Sequence, residues 1–154
     1  MDGWNSLNTT QTIERVLSII KPHLTQNASI TTETNNIGKT YNDMLTEKLP
    51  TAYKEKVNGF TTSNSSKGDL VSDLQVAFQE KSINILNDEK QIRQLMTYSA
   101  EYNPKTKNVT YNAPMGLHDD RVMSLMLSYH GYKERQSIGV YSIGNSRMSR
   151  PRQV

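Results

Sequence analysis

Asn108-Val109-Thr110-Tyr111-Asn112-Ala113 and, shortly after it, Gly116-Leu117-His118-Asp119-Asp120-Arg121-Val122-Met123 set a strand, a turn and a helix in series. The first run alternates β-branched and aromatic residues with polar ones, the period of a half-buried strand. Gly116 supplies the turn. Val122, Met123, Leu125, Met126 and Tyr129 then recur at helical spacing, which predicts a helix over residues 119–129 with one apolar face. Two adjacent carboxylates and a histidine stand at the mouth of that helix.

The same alternation continues on either side. Ile13, Val16, Leu17 and Ile20 predict a helix capped by Thr9 or Thr10 and ended by Pro22. Ala28-Ser29-Ile30-Thr31-Thr32-Glu33-Thr34 reads as a short polar strand with Glu33 at its C-terminal end. Asn35-Asn36-Ile37-Gly38 turns the chain into a helix over residues 39–49, with Tyr41, Met44 and Leu45 inward and Pro50 as its stop. Phe60-Thr61-Thr62 can be extended, and Ser63-Asn64-Ser65-Ser66-Lys67-Gly68 reads as a polar loop.

Leu70, Leu74, Ala77 and Phe78 predict an amphipathic helix from Asp69. Ile83-Asn84-Ile85-Leu86 alternates as a strand would. Asp88 caps a helix in which Ile92, Leu95, Met96 and Ser99 share a face. Helices alternating with short strands give an α/β class, a sheet flanked by helices. The strands are few for such a sheet, whose edges would be poorly protected.

At 154 residues the chain suits one domain, expected over residues 1–132, followed by a polar, partly disordered tail over 133–154. The formal charge of +3 comes from that tail, which carries Arg147, Arg150 and Arg152. Without them the remaining 15 basic and 15 acidic residues balance, so a broad electrostatic footprint for nucleic acid is absent from the body. With no cysteine, neither disulfides nor thiolate metal sites are available, and carboxylates and histidines are the strong ligands left. No apolar run is long enough for a signal peptide or a membrane span.

Asp119 and Asp120 have two readings. Carboxylates in a first helical turn gain roughly 0.3 to 1 kcal/mol each from the helix dipole and can cap free backbone N–H groups. Alternatively, paired hard oxygen donors begin a site for magnesium or manganese, which needs further acids from other elements. Glu33 is the natural second contributor, because it follows a strand and precedes a turn, where α/β sheets hold their functional groups. Glu80 and Glu89 fall on solvated helical faces.

No Gly-rich phosphate loop is present, so no nucleotide site is expected; Ser65-Ser66-Lys67-Gly68 lacks the first glycine such a loop requires. Lys67 and nearby backbone amides could still approach a DNA phosphate. His23, His118 and His130 form no zinc-like spacing.

The segment from Tyr98-Ser99-Ala100-Glu101-Tyr102 through Val109-Thr110-Tyr111-Asn112-Ala113-Pro114 to Gly116-Leu117-His118-Asp119-Asp120-Arg121-Val122-Met123-Ser124-Leu125 resembles the end of the nuclease domain in large terminase subunits of tailed bacteriophages. Thr32-Glu33-Thr34-Asn35-Asn36-Ile37-Gly38 is similar to that domain's second acidic motif, and Trp4 with the following helix to the segment just before it. The likeness spans most of residues 1–132.

It implies a ribonuclease-H-like mixed sheet flanked by helices, lacking its first strands. It also implies a Mg2+- or Mn2+-dependent DNA endonuclease that cuts concatemeric viral DNA during packaging. Glu33, Asp119 and Asp120 would be the catalytic metal ligands; Lys67, His118 and Arg121 are this sequence's own candidates for DNA contacts. Double-stranded DNA, the portal and the small terminase subunit would be partners, with no membrane, in the cytoplasm of an infected or lysogenic bacterial host.

The family's first acidic position, an aspartate on the opening strand, has no match. Asp2 lacks a preceding apolar strand, and registering Trp4 puts the missing aspartate before Met1. The expectation is therefore the C-terminal portion of a larger protein, from a truncated gene, a split gene or a mis-set start. A chain that is inactive alone follows. The alternatives are a non-catalytic fragment that binds DNA or the portal, and another ribonuclease-H-like enzyme such as a junction resolvase.

Overall fold

Two short parallel strands form the centre of the protein, and their sequences explain why helices cover both faces. The computed structural model describes the backbone of residues 7–26 and 28–146 and side chains as far as residue 136; Asp2, Trp4 and the three tail arginines lie outside these residues. Strand β1 (Ile30–Glu33) pairs in parallel with β2 (Val57–Phe60), Thr31 opposite Asn58 and Glu33 opposite Phe60. Between them run α2 (Gly38–Lys48) and the single turn α3 (Thr51–Lys54), the crossover that a parallel pair needs.

Before β1 comes α1 (Thr9–Leu24). Asn8 caps it, exchanging hydrogen bonds with Gln11, one residue ahead of the predicted threonines. Pro22 lies inside the last turn and does not end the helix. Leu24, fully buried, provides the burial that carries the helix past it. Ile13, Leu17 and Leu24 of α1 pack with Leu45 and Leu49 into one core on one face of the sheet. On that face Thr32 Oγ1 bonds Asn42 Oδ1 at 2.6 Å, which satisfies a polar strand residue that the core would otherwise strand.

The opposite face carries the second core. Helix α4 (Asn64–Gln79) begins inside the predicted polar loop, because Ser63 and Ser66 form a capping box that starts the helix five residues before Asp69. Helix α5 (Glu89–Thr97) has Asp88 as its N-cap, as the sequence predicts. Helix α6 (Asp120–Ser146) continues well past Tyr129, so the backbone is helical through much of the segment read as a tail. Leu70 and Leu74 pack with Val122, Met126 and Leu127 of α6, and Phe60, Leu95 and Tyr98 close the cluster.

Strands β3 (Ser99–Asn103) and β4 (Asn108–Asn112) form a separate antiparallel hairpin. Among the described residues the strands make a parallel pair and an antiparallel pair, a mixed α/β arrangement of small sheets flanked by helices. Ser99 belongs to β3 and not to the preceding helix, while the Ile83–Leu86 run is unpaired despite its alternation. An alternating run becomes a strand only beside another backbone, and here Ile83 turns inward against the second core instead. The hairpin docks on the start of α4, where Asn64 Nδ2 donates to the Val109 carbonyl at 2.8 Å.

A carboxylate cavity at the strand ends

Parallel strands end with their carbonyl edges and following loops at one rim, and here that rim is built from matched loops. Asn35, just after β1, clasps Thr62, just after β2: its Nδ2 donates to the Thr62 carbonyl at 2.6 Å, and the Thr62 N–H donates to its Oδ1 at 2.7 Å. Thr34 and Thr61 hydroxyls meet at 3.1 Å. The clasp fixes Glu33, the last residue of β1, at the mouth of a cavity of about 650 Å3.

Asp119 and Asp120 reach the same cavity from the start of α6. Asp119 is the residue before the first helical one, and its carbonyl accepts the Met123 N–H at 2.9 Å. So the capping and site-forming readings of this motif describe one place: the helix end is also the cavity wall. The Asp119 side chain is 28% exposed, whereas Asp120 is exposed. Glu33, Thr62, Lys67, Asp119 and Asp120 thus share one wall-to-wall space.

Lys67 fills part of it. Its Nζ lies 3.3 Å from Asp119 Oδ2 and 3.2 Å from Asn112 Oδ1, and 5.7 Å from the centre of the Tyr98 ring. The sequence marked Lys67 only as a DNA-phosphate contact. Its pairing with Asp119 across α4 and α6 went unread, although the Ser63-to-Ser66 spacing was a helix-start signal that would have oriented it. Tyr98 donates its hydroxyl to the Tyr111 carbonyl at 3.3 Å. Burial, then the Asp119 charge and then Tyr111, push its phenol far above the usual range, so it stays a neutral donor.

His118 and Arg121 are elsewhere. Both line a separate depression with Lys90 and Arg93. Arg121 is further tied down, its Nη1 2.9 Å from Asp88 Oδ1 and its backbone N–H on Gln94 Oε1 at 2.8 Å. That tether joins the start of α6 to the start of α5.

The acidic and hydroxyl groups lining the main cavity, Glu33, Asp119, Asp120 and the threonines, present oxygen, the donor of a hard divalent cation. Thr62 Oγ1 adds a buried hydroxyl without a hydrogen-bond partner, a group that costs free energy until something polar meets it. The number of ligands falls short. Among the described residues no three acidic or histidine side chains stand close enough to hold one ion together. Glu33, Asp119 and Asp120 therefore share the cavity without forming a closed ligand set.

Gly38 controls where Glu33 sits. A Cβ there would overlap the Glu33 carbonyl oxygen and lie 3.1 Å from its carbon, both backbone atoms that cannot rotate aside. Gly38→Ala is expected to lower stability by about 1 to 3 kcal/mol, the cost of overpacking. It should also shift the Glu33 and Asn35 amide resonances, read by urea titration and by NMR.

Solved structures similar to this arrangement include the large terminase nuclease from thermophilic phage G20c, at 20% identity and a TM-score of 0.65. The same nuclease with bound cobalt matches at 20% and 0.67, and with bound magnesium at 23% and 0.63. The matches cover 80–81% of this chain. In the other direction the chain spans only 62–63% of those nuclease chains, under two thirds of their length. The protein has the fold of a large terminase nuclease. No protein-family model matches the sequence, and no curated protein matches it either.

Proposed function

We propose that this chain carries two of the three acidic positions of a divalent-metal-dependent DNA endonuclease, the nuclease part of a phage terminase large subunit. The observation that carries the reading is the convergence of Glu33 from β1 with Asp119 and Asp120 at the start of α6 on one cavity. Support comes also from the fold shared with a nuclease solved with cobalt and with magnesium. The substrate would be concatemeric double-stranded viral DNA, and the portal and small terminase subunit the assembly partners, in the host cytoplasm.

Glu33, Asp119 and Asp120 would hold Mg2+ or Mn2+. Such an ion, when bound, polarises a phosphate and lowers the pKa of a bound water. The chain's own groups do the rest. The Asn35–Thr62 clasp orients Glu33, and the α6 start orients Asp119. Lys67 supplies a positive charge beside the carboxylates, positioned for a phosphate. His118 and Arg121 line a second depression with Lys90, Arg93 and Glu89, where Lys90 and Arg93 would meet a further stretch of DNA backbone while Arg121 stays paired with Asp88.

Manganese uptake, followed by the EPR signal of the free ion, tests the site. Asp119→Asn/Asp120→Asn is expected to bind at least about tenfold more weakly than the parent chain, since affinity at oxygen sites moves by decades with carboxylate count. Equal traces would sink the metal reading and leave helix capping as the role of the pair. The 154-residue chain should nick supercoiled DNA in manganese only slightly, because residues 1–154 hold no counterpart of the family's first acidic position. Efficient cutting would overturn that account. A non-catalytic DNA- or portal-binding role is the second reading, favoured by the short ligand set and by the lysine resting on Asp119.

A further inference from the structure

Lys67 is held more firmly than a solvent-facing lysine. Its side chain is only 16% exposed, and three residues fix its ammonium: Asp119 just before α6, Asn112 at the end of β4, and the Tyr98 ring. The helix that carries it is itself pinned, by the Ser63–Ser66 capping box and by Gly68, where a Cβ would already press on the Tyr111 ring at 3.3 Å. The ammonium therefore occupies a set position on the carboxylate at the cavity wall.

We infer that Lys67 is an internal counter-ion for Asp119 that a divalent cation must displace, so that loading of the cavity is gated by release of this ammonium. The inference rests on reading the cavity as a metal site. An ammonium and a dication compete for the same carboxylate oxygen and repel each other across a space this small. Alone, the Asp119 carboxylate would be partly desolvated and uncompensated; the lysine relieves that and so lowers the net gain from metal binding.

Release does not require the lysine to leave for solvent. Asn112 Oδ1 and the face of Tyr98 remain as partners for the ammonium once Asp119 turns to a metal. The released side chain would thus differ from the one seen by the Asp119 contact alone. The released charge would stay at the cavity wall, where an incoming phosphate is attracted to it.

Manganese binding to the full 154-residue chain, measured from the free-ion EPR signal without any cutting assay, tests this. Lys67→Met keeps the aliphatic stem against Tyr98 and should bind manganese about fivefold more tightly than the parent, the upper range for an ion pair that solvent still screens. Lys67→Arg, which keeps the charge, should bind no more tightly than the parent. Lys67→Gln serves as a second neutral variant should Lys67→Met unfold, and circular dichroism checks each fold.

Unchanged or weaker binding by the neutral variants, with binding still lost in Asp119→Asn/Asp120→Asn, overturns the gating role while leaving the metal site standing. Identical binding by parent, neutral and Asp variants overturns both together. Tighter binding by the neutral variants alone, with Lys67→Arg at the parent level, supports the gate.

Discussion

Met126→Ala is expected to lower the unfolding free energy by about 2 to 5 kcal/mol, the range for truncating a buried aliphatic side chain to alanine. Met126 is 1% exposed and stands in the cluster that Leu70 and Leu74 of α4 share with Val122 and Leu127 of α6. A domain of this size has on the order of 5 to 15 kcal/mol in total, so this one truncation removes a large share of it. The loss has a functional side. Lys67 rides on α4 and Asp119 precedes α6, and their 3.3 Å pairing depends on how those two helices pack. Thermal unfolding should therefore show a lower midpoint, and the Lys67 and Asn112 resonances should broaden or shift before the main transition. A midpoint within a degree or two of the parent would mean that the α4–α6 interface is not what holds this half together.

The second large effect is expected at Gly131, where α6 crosses the sheet. A Cβ on Gly131 would overlap Thr31 Oγ1 and lie 3.6 Å from Thr31 Cβ, so the helix sits directly on the Thr31 side chain of the strand. Gly131→Val should cost about 1 to 3 kcal/mol by wedging the helix from β1. Gly131→Ala is subtler, because alanine regains roughly 1 kcal/mol of helix propensity while meeting the same hydroxyl. Thr31→Ala removes that hydroxyl. The pair Gly131→Ala/Thr31→Ala should then be more stable than the two single changes sum to, with a coupling of about 0.5 to 3 kcal/mol for residues in contact. Additive effects in urea titrations of the four proteins would refute the close approach. Thr31 and Glu33 stand on the same face of β1, so the wedge would also disturb the cavity mouth.

Which parts of this arrangement were readable in advance follows from the range of the interactions involved. Asp88 and its helix were legible because an N-cap is a bond between residues three apart. Ile13, Leu17 and Leu45 were legible as core because helical periodicity is local. The start of α4 was misread because its serines suit a loop as well as a capping box, and only the helix that follows distinguishes them. Pro22 was misread for the opposite reason: its local cost is real, yet burial of Leu24 outweighs it. The hairpin was half seen, since Ser99-Ala100-Glu101-Tyr102-Asn103 is exposed along its length and carries no apolar alternation to betray a strand.

The sequence by itself determined the α/β class, most helices with their buried faces, and Glu33, Asp119 and Asp120 as the acids to watch. Each of these depends on residue type, on short spacing, or on likeness to a family's motifs. Tertiary structure alone decided that the three carboxylates open on one cavity, that Lys67 neutralises Asp119 there, and that Arg121 turns away to Asp88. The residues in each of these pairings are separated by tens of positions along the chain, and charge attracts through space irrespective of sequence distance. Only the packing of α4 and α6 about β1 and β2 sets those distances.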